Sequence, residues 1–467
     1  MKLGRTRRVH FVGIGGIGMS GIAELLVNLG YAVSGSDAKR SPATATLEAL
    51  GAAIFEGHAP AHVGDADVVV FSSAIRDGNP EIEEARRRGI PVIPRAEMLG
   101  ELMRLRFSVA VAGSHGKTTT TSMIALVLER AGLDPTAVIG GRLEAFGSNA
   151  RLGTGEFMVA EADESDRSFL RLWPSVAVIT NVDREHLESY GDFADLQRAF
   201  GAFANKVPFY GCVVACADDA GLADVLPGVE RRLLTYGLDA RDADFLASHV
   251  DVSTSGARCL VHRQRPEGRV CLGPLALAVP GRHNLLNALA AVAVAEHIGV
   301  PFDVVAGALA EFQGAQRRFE RIGEVDGIVV IDDYGHHPTE IRAVLAAARA
   351  SMRRRLMVVF QPHRYSRTQA YLADFGDALR EADEVVLTDI YAAGEDPIPG
   401  TTIEALAAAV ARDAERPPHV APQLHDIVPA VLERVRPGDA VIVLGAGSIG
   451  TVARPLLAAL EARRRAS

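Results

Sequence analysis

Apolar residues along this chain fall in short, β-branched runs, and between the runs they recur at helical spacing. Such runs predict strands buried on both faces, and their alternation with helices predicts an α/β protein built on parallel sheets. The first run, Val9–Val12, passes into a glycine turn and a helix to Leu29, and a strand follows over Tyr31–Ser36. Another strand is expected over Asp67–Ser73, and the proline-punctuated Ile90–Arg95 leads into a helix ending at Arg104. A boundary falls near Arg106. A second segment opens on Val109–Ala112 and continues with the runs Phe157–Asp163 and Ser175–Asp183. Later, Pro280–Asn287 enters an alanine-rich helix reaching His297. A third segment, after Phe319, carries strands over Gly327–Asp332, Leu356–Phe360, Glu384–Thr388 and Ala440–Gly445, with a helix over Glu340–Ala350. The expected domains are residues 1–106, 107–319 and 320–467, and the tail Arg463–Ser467 reads as a frayed, solvated end.

Composition narrows the class. A length of 467 residues exceeds what one hydrophobic core supports, in keeping with several domains. Hydrophobic content of 48% with 23% charged residues is that of an ordinary globular protein, and the net charge of −9 argues against nucleic-acid or membrane-surface binding. Lys2, Arg5, Arg7 and Arg8 before an apolar stretch imitate a signal peptide with twin arginines. The glycines that follow, and Glu24 on a helical face, are better explained by a strand and a glycine turn. No run reaches the roughly 18 apolar residues of a membrane helix. Cys212, Cys216, Cys259 and Cys271 have no ligand spacing and read as reduced packing residues of a cytosolic protein.

The chemistry concentrates in Val109–Thr121, where a strand feeds Gly113-Ser-His-Gly116-Lys117-Thr118 and then a helix. Backbone N–H groups of such a loop and the positive end of the helix can cradle polyphosphate. Lys117 would reach the terminal phosphates, and the Thr118 hydroxyl would ligate Mg²⁺. The spacing is shorter than the common Gly-x4-Gly-Lys form; a purely structural glycine turn is the alternative.

Gly13-x-Gly15-x-x-Gly18, with Asp37 closing the next strand, matches the dinucleotide fingerprint, so an NAD-dependent oxidoreductase is the main rival. That rival leaves the phosphate loop idle. Physically the motif brings a pyrophosphate to a helix N-terminus, and a UDP-sugar carries a pyrophosphate too. Gly445-x-Gly447-x-x-Gly450 reads instead as strand-to-helix packing. Glu161, ending a buried run in Glu161–Asp166, stands where an acid holds Mg²⁺ beside a phosphate loop, and His186 follows the adjacent run. Asp332–Pro338 and Gln361–Arg367 close two strands of the third segment with polar residues and two arginines suited to carboxylate or phosphate.

Taken together, these motifs resemble the Mur ligases over nearly the whole chain: Gly13–Gly21, Gly113–Thr120, Glu161–Asp166, Thr180–His186, Gly281–Asn287, Asp332–Pro338, Gln361–Arg367 and Ile390–Gly400. The resemblance implies three α/β domains: a Rossmann-like N-terminal domain for the UDP-sugar, a central P-loop ATPase domain with a parallel or mixed sheet, and a Rossmann-like C-terminal domain. Gly15, Gly16, Ile17 and Gly18 would contact the UDP-sugar diphosphate. Gly113, Ser114, His115, Gly116, Lys117, Thr118 and Thr119 would hold ATP, Asn284 its adenine and Asp333 its ribose. Thr118, Glu161 and His186 would form the Mg²⁺ shell, with Lys117, Glu161 and His186 the catalytic set. Tyr334, His336, Arg364 and Arg367 would line the substrate and amino-acid end. Several sister ligases carry a carbamylated lysine after the His186 motif, whereas Phe193–Asn205 contains none before Lys206. That departure points to the alanine-adding branch: ATP, UDP-N-acetylmuramic acid and L-alanine as partners, Mg²⁺ as cofactor, a cytoplasmic monomer or weak homodimer. A recycling ligase that adds a whole peptide, and an ATP-driven conformational switch, are the remaining alternatives.

Overall fold

A computed structural model describes residues 3–72, 74–75, 78–143, 148–253, 256–412 and 416–466; for Ile17, residues 140–143 and 148–150, and Ala466 it describes the backbone alone. Ser73, expected to end a strand, lies outside the described residues, as do Lys2 and Ser467. The chain divides into two compact units: residues 1–249, 259–275 and 286–312 form one, and residues 250–258, 276–285 and 313–467 the other.

The first unit opens with a five-stranded sheet of β1 (Arg8–Val12), β2 (Ala32–Asp37), β3 (Ala53–Glu56), β4 (Val68–Phe71) and β5 (Val92–Pro94). All pairings are parallel and the order is β3-β2-β1-β4-β5. The strand order reverses beside β1, so the glycine turn that follows β1 sits at the topological switch point where open sheets bind ligands.

Ten strands build the next sheet: β6 (Phe107–Ala112), β7 (Thr136–Leu143), β8 (Ser148–Arg151), β9 (Phe157–Glu161), β10 (Val176–Ile179), β11 (Cys212–Cys216), β12 (Leu233–Gly237), β13 (Phe245–Ser253), β14 (Gly256–Arg265) and β15 (Gly268–Leu277). Their order is β15-β14-β13-β12-β11-β10-β6-β9-β7-β8. Val109–Ala112 and Val176–Ile179 are wholly buried and pair in parallel, Val109 opposite Val176. On its other side β6 pairs with β9, which sets Glu161 opposite Val111. The phosphate loop therefore leaves β6 between the carboxyl ends of β9 and β10. Strands β13 to β15 carry many half-exposed polar side chains and so lack a continuous apolar run.

In the second unit six strands are ordered β16-β17-β21-β18-β19-β20: β16 (Glu320–Val325), β17 (Ile328–Asp333), β18 (Leu356–Phe360), β19 (Glu384–Leu387), β20 (His419–Val420) and β21 (Ala440–Leu444). Only β16 runs antiparallel to its neighbour. Alternate residues feed two apolar layers, Ile331, Val358, Leu387 and Ile442 on one face and Val330, Val359, Val386 and Val443 on the other.

Two expectations are corrected. The basic tail is not frayed: a helix spans Ala453–Ala466, anchored by buried Leu456 and Leu460, and the Arg463 guanidinium donates to the Leu432 carbonyl at 2.8 Å. Cys271 is exposed on β15 rather than packed inside. Among the described residues no helix is long and apolar enough to cross a membrane.

Candidate active site

The phosphate loop is shaped by glycine and held by the neighbouring strand end. Gly113 and Gly116 adopt φ of +139° and +80°, which side-chain-bearing residues rarely reach. A Cβ on Gly113 would lie 2.0 Å from Thr180 Oγ1, and one on Gly116 2.8 Å from Asn287 Oδ1. The segment after β10 templates the loop: Asn181 Oδ1 accepts from the His115 N–H at 2.8 Å, while Thr180 Oγ1 donates to the His115 carbonyl at 2.6 Å. The Ser114 hydroxyl accepts from the Asp183 N–H at 2.9 Å, and His115 Nε2 pairs with Asp183 at 2.9 Å. The following helix starts at Lys117 with Gly116 as its cap and no side-chain hydrogen bond there. Its first N–H groups keep the partial positive charge that attracts phosphate.

Lys117 is folded back into this loop. Its Nζ donates to the carbonyls of Gly113 (2.6 Å) and Ser114 (3.1 Å) and to Glu164 Oε1 (2.9 Å). Burial alone would lower the lysine's pKa, but Glu164, Asp163 and Glu185 outweigh it and hold the ammonium charged above the usual range. For Glu164 burial wins, with repulsion from Asp163, and its pKa is raised despite Lys117 and His186. His186, at φ +55°, brings Nε2 to 3.8 Å from Glu164 and 4.0 Å from Glu185. Ligand atoms of Glu164, Glu185 and His186 all lie within 4.8 Å of one another. Glu161 ends β9 with one carboxylate oxygen buried, Thr118 is the second residue of the helix, and neither belongs to that trio. The buried Glu164 Oε2 makes no hydrogen bond. A carboxylate-rich donor set that includes such an oxygen fits a hard divalent cation. Glu164 and Glu185 escaped the sequence reading, although each lies inside a motif it singled out.

At the end of β1, Gly13 (φ +83°) and Ile14 both donate their N–H groups to the Ser36 carbonyl, at 2.8 and 3.0 Å. The Gly15 N–H donates to Asp37 Oδ2 at 2.7 Å, so one oxygen of the acid that would mark a dinucleotide site is engaged by the turn itself. Gly16 caps the helix Ile17–Asn28 without side-chain help. A Cβ on Gly18 would come within 2.9 Å of Arg95 Nη1. The side chain of Ile17 lies outside the described residues.

In the second unit, Asp333 ends β17 fully enclosed and accepts the N–H groups of Gly335 (2.6 Å) and Phe319 (2.7 Å). Burial pushes its carboxyl up to about 6, against the pull of Arg318 and those donors. Tyr334 lies under the guanidinium groups of Arg317 and Arg318, at 5.2 and 5.3 Å. His336 meets Tyr334 and His363 edge-on at 5.4 and 5.7 Å, and Arg367 reaches His363 Nδ1 at 3.4 Å. Tyr334, His336 and Arg367 thus share one cluster with His363, whose imidazole is pushed down to about 3 by burial and the nearby cations. Arg364 turns the chain at φ +73°, its N–H on the Tyr391 carbonyl at 2.8 Å. Asn284 is buried, its amide donating to the Pro280 carbonyl at 2.7 Å. Gly445, Gly447 and Gly450 are closely packed, each leaving under 3 Å between a hypothetical Cβ and Gln361, Tyr391 or Arg317, which lie between elements rather than on a helix.

Family models match along the chain: "Mur ligase family, catalytic domain" over residues 8–107, "Mur ligase middle domain" over 111–295 and "Mur ligase, glutamate ligase domain" over 317–447. The UDP-N-acetylmuramate–L-alanine ligase of Anaeromyxobacter sp. (strain Fw109-5) is 53% identical over 99% of this chain and 100% of its own length. That of Geobacter sp. (strain M21) is also 53% identical, over 99% of each. Among solved structures, the UDP-N-acetylmuramate-alanine ligase of Thermotoga maritima superposes with a TM-score of 0.81 at 31% identity, covering 98% of this chain and 99% of that one. A murein peptide ligase from Psychrobacter arcticus gives 0.71 at 28%, covering 97% and 98%.

Proposed function

The chain belongs to the Mur ligase family, and from that premise we propose that it joins L-alanine to the carboxylate of UDP-N-acetylmuramic acid, converting ATP to ADP and phosphate. The observation that carries the chemistry is Lys117, a charged lysine anchored inside a phosphate loop on a chain similar end to end to alanine ligases. A carboxylate is a poor acyl donor because oxide cannot leave. One of its oxygens attacks the γ-phosphorus, ADP departs, and an acyl phosphate results. The alanine amine then attacks the acyl carbon, phosphate leaves, and the nitrogen gives up its proton. No side chain has to become covalently attached. Catalysis consists of positioning and of neutralising charge as it moves between phosphates.

In this reading Gly113 to Thr119 wrap the ATP phosphates, and Lys117 exchanges its loop carbonyls for phosphate oxygens. Asn284 and Asp333 contact adenine and ribose. Gly15 to Gly18 take the diphosphate of the UDP-sugar, and Tyr334, His336, Arg364 and Arg367 hold the acceptor end. Mg²⁺, held by Thr118, Glu161 and His186 with Glu164 and Glu185 beside them, would supply charge neutralisation on the phosphates. The domain division at residues 106 and 319, and a cytoplasmic site where ATP is at hand, complete the proposal. Peptide ligation is the second reading, favoured by the likeness to the murein peptide ligase.

The test is phosphate release from purified protein with Mg-ATP and UDP-N-acetylmuramic acid, adding single amino acids and then tripeptide. Release that depends on L-alanine is expected. Dependence on tripeptide alone transfers the chain to peptide ligation, and release without any acceptor refutes both.

A further inference from the structure

Beyond the residues that would touch substrate, a helix beside the first sheet carries a buried carboxylate with no evident part in the chemistry. Glu81, second residue of the helix Pro80–Arg87, is fully buried. A buried carboxylate is costly, and an apolar side chain of that size would pack there at less expense. Its surroundings are built to keep it charged. Oε1 accepts the Ala59 N–H at 3.2 Å and lies 2.8 Å from His62 Nδ1. Oε2 accepts the Ser36 hydroxyl at 2.5 Å and lies 3.5 Å from both His10 Nε2 and His58 Nδ1. Burial would raise this carboxyl's pKa, yet the bonds from His10, Ser36 and His62 prevail and hold it at about 2.

These contacts converge on the glycine turn. The carbonyl of Ser36 receives the N–H groups of both Gly13 and Ile14. Its hydroxyl has a single proton, given to Glu81, so the 2.9 Å contact with His58 requires His58 Nδ1 to be the donor. Ser36 is thereby fixed from both ends, by the turn through its backbone and by Glu81 through its side chain. The same carboxylate ties together β1 through His10, β2 through Ser36, and the segment after β3 through His58, Ala59 and His62. His62 is itself braced by stacking on Phe55 at 4.4 Å.

We propose that Glu81 is a positioning residue for the sugar-nucleotide site, holding the Gly13–Gly18 turn in its diphosphate-accepting shape through Ser36. The inference rests on the ligase reading above. A group that merely stabilised the fold would weaken the protein without discriminating between its substrates; a positioning group acts on one of them.

The experiment compares the parent with Glu81→Gln, Glu81→Asp and Ser36→Ala, varying UDP-N-acetylmuramic acid and ATP separately, with thermal melts alongside. The KM for the UDP-sugar should rise roughly ten-fold in Glu81→Gln and by a similar factor in Ser36→Ala, the loss of one buried charge-assisted hydrogen bond. The KM for ATP, and kcat at saturating sugar, should stay within about two-fold. Glu81→Asp, which keeps the charge, should recover part of the loss. Should Glu81→Gln fail to fold, Ser36→Ala decides, because it cuts the link and leaves the three histidines in place. A sugar KM unchanged in Ser36→Ala, or an ATP KM rising in step with it, overturns the inference. If the parent itself shows no turnover dependent on the UDP-sugar, the ligase reading falls and this inference with it; an active parent with unaltered variants defeats only the inference.

Discussion

Lys117→Met is the substitution that bears most directly on the proposed chemistry, since it keeps the aliphatic stem and removes only the ammonium. In the parent all three N–H donors are engaged, on two loop carbonyls and Glu164. In the proposed reading this ammonium is turned toward the transferring phosphoryl group when ATP binds. Removing one such donor costs about 3–4 kcal/mol of transition-state stabilisation, or roughly 10²–10³ in kcat. The fold should survive. Glu164, already inclined by burial and Asp163 to hold a proton, can become neutral once the lysine is gone, and the lost hydrogen bonds then lower stability by about 1–3 kcal/mol. Phosphate release under saturating substrates reads the first effect, and a denaturant melt reads the second. Calorimetry with the UDP-sugar supplies the control, because the Gly13–Gly18 turn belongs to another sheet and its affinity should change less than about three-fold. The raised pKa of Lys117 also sets a sign: its charge persists as pH rises past the usual lysine range. The parent should therefore show no alkaline loss from this group below about pH 10. Turnover in Lys117→Met within about ten-fold of the parent, or an equal loss of turnover and sugar affinity, would refute the role given to the lysine.

Two glycines predict opposite outcomes. Gly16 has ordinary φ and nothing nearer than 3.7 Å to a new Cβ, so Gly16→Ala should fold normally while its methyl group obstructs the diphosphate and raises the KM for the UDP-sugar. Gly113→Ala would force a Cβ to 2.0 Å from Thr180 Oγ1 at φ +139°, and calorimetry should show ATP binding lost, with a lowered melting temperature. Asp333 has a folded value of about 6 against an ordinary 3.8, so between those values the unfolded chain releases this proton while the folded state holds it, and stability falls as pH rises. Asp333→Asn should therefore gain on the parent by up to about 3 kcal/mol from pH 4 to pH 7 in urea melts, and a constant difference contradicts this. Finally, Cys271 alone among the four cysteines is exposed, while burial pushes the Cys212 and Cys216 thiols up to about 12 and Cys259 up to about 11. A thiol reagent should label one cysteine in the native protein and four after denaturation.

The central strands were legible because a strand buried on both faces must be apolar at every position, as Val109–Ala112 and Val176–Ile179 are. Strands β13 to β15 were not, because half-exposed strands mix polar and apolar residues without a continuous run. The tail shows a similar limit: three consecutive arginines look solvated, yet buried Leu456 and Leu460 one to two turns earlier, with Arg463 on the Leu432 carbonyl, anchor the helix. Glycine spacing, with Lys117 and Thr118 at a helix start, was enough to locate the glycine loop between strand and helix, since positive φ and close backbone approach demand glycine whatever surrounds it. Sequence by itself thus determined the α/β class, the two glycine turns and the residue types offered to phosphate, all consequences of local backbone geometry and of which faces are apolar. Tertiary structure alone decided the partners. It set Glu164 on Lys117, gathered Glu164 and Glu185 beside His186, and buried Glu81 among three histidines behind Ser36. Those choices depend on distances between residues far apart in the chain, which are fixed only when strand register and crossover direction are.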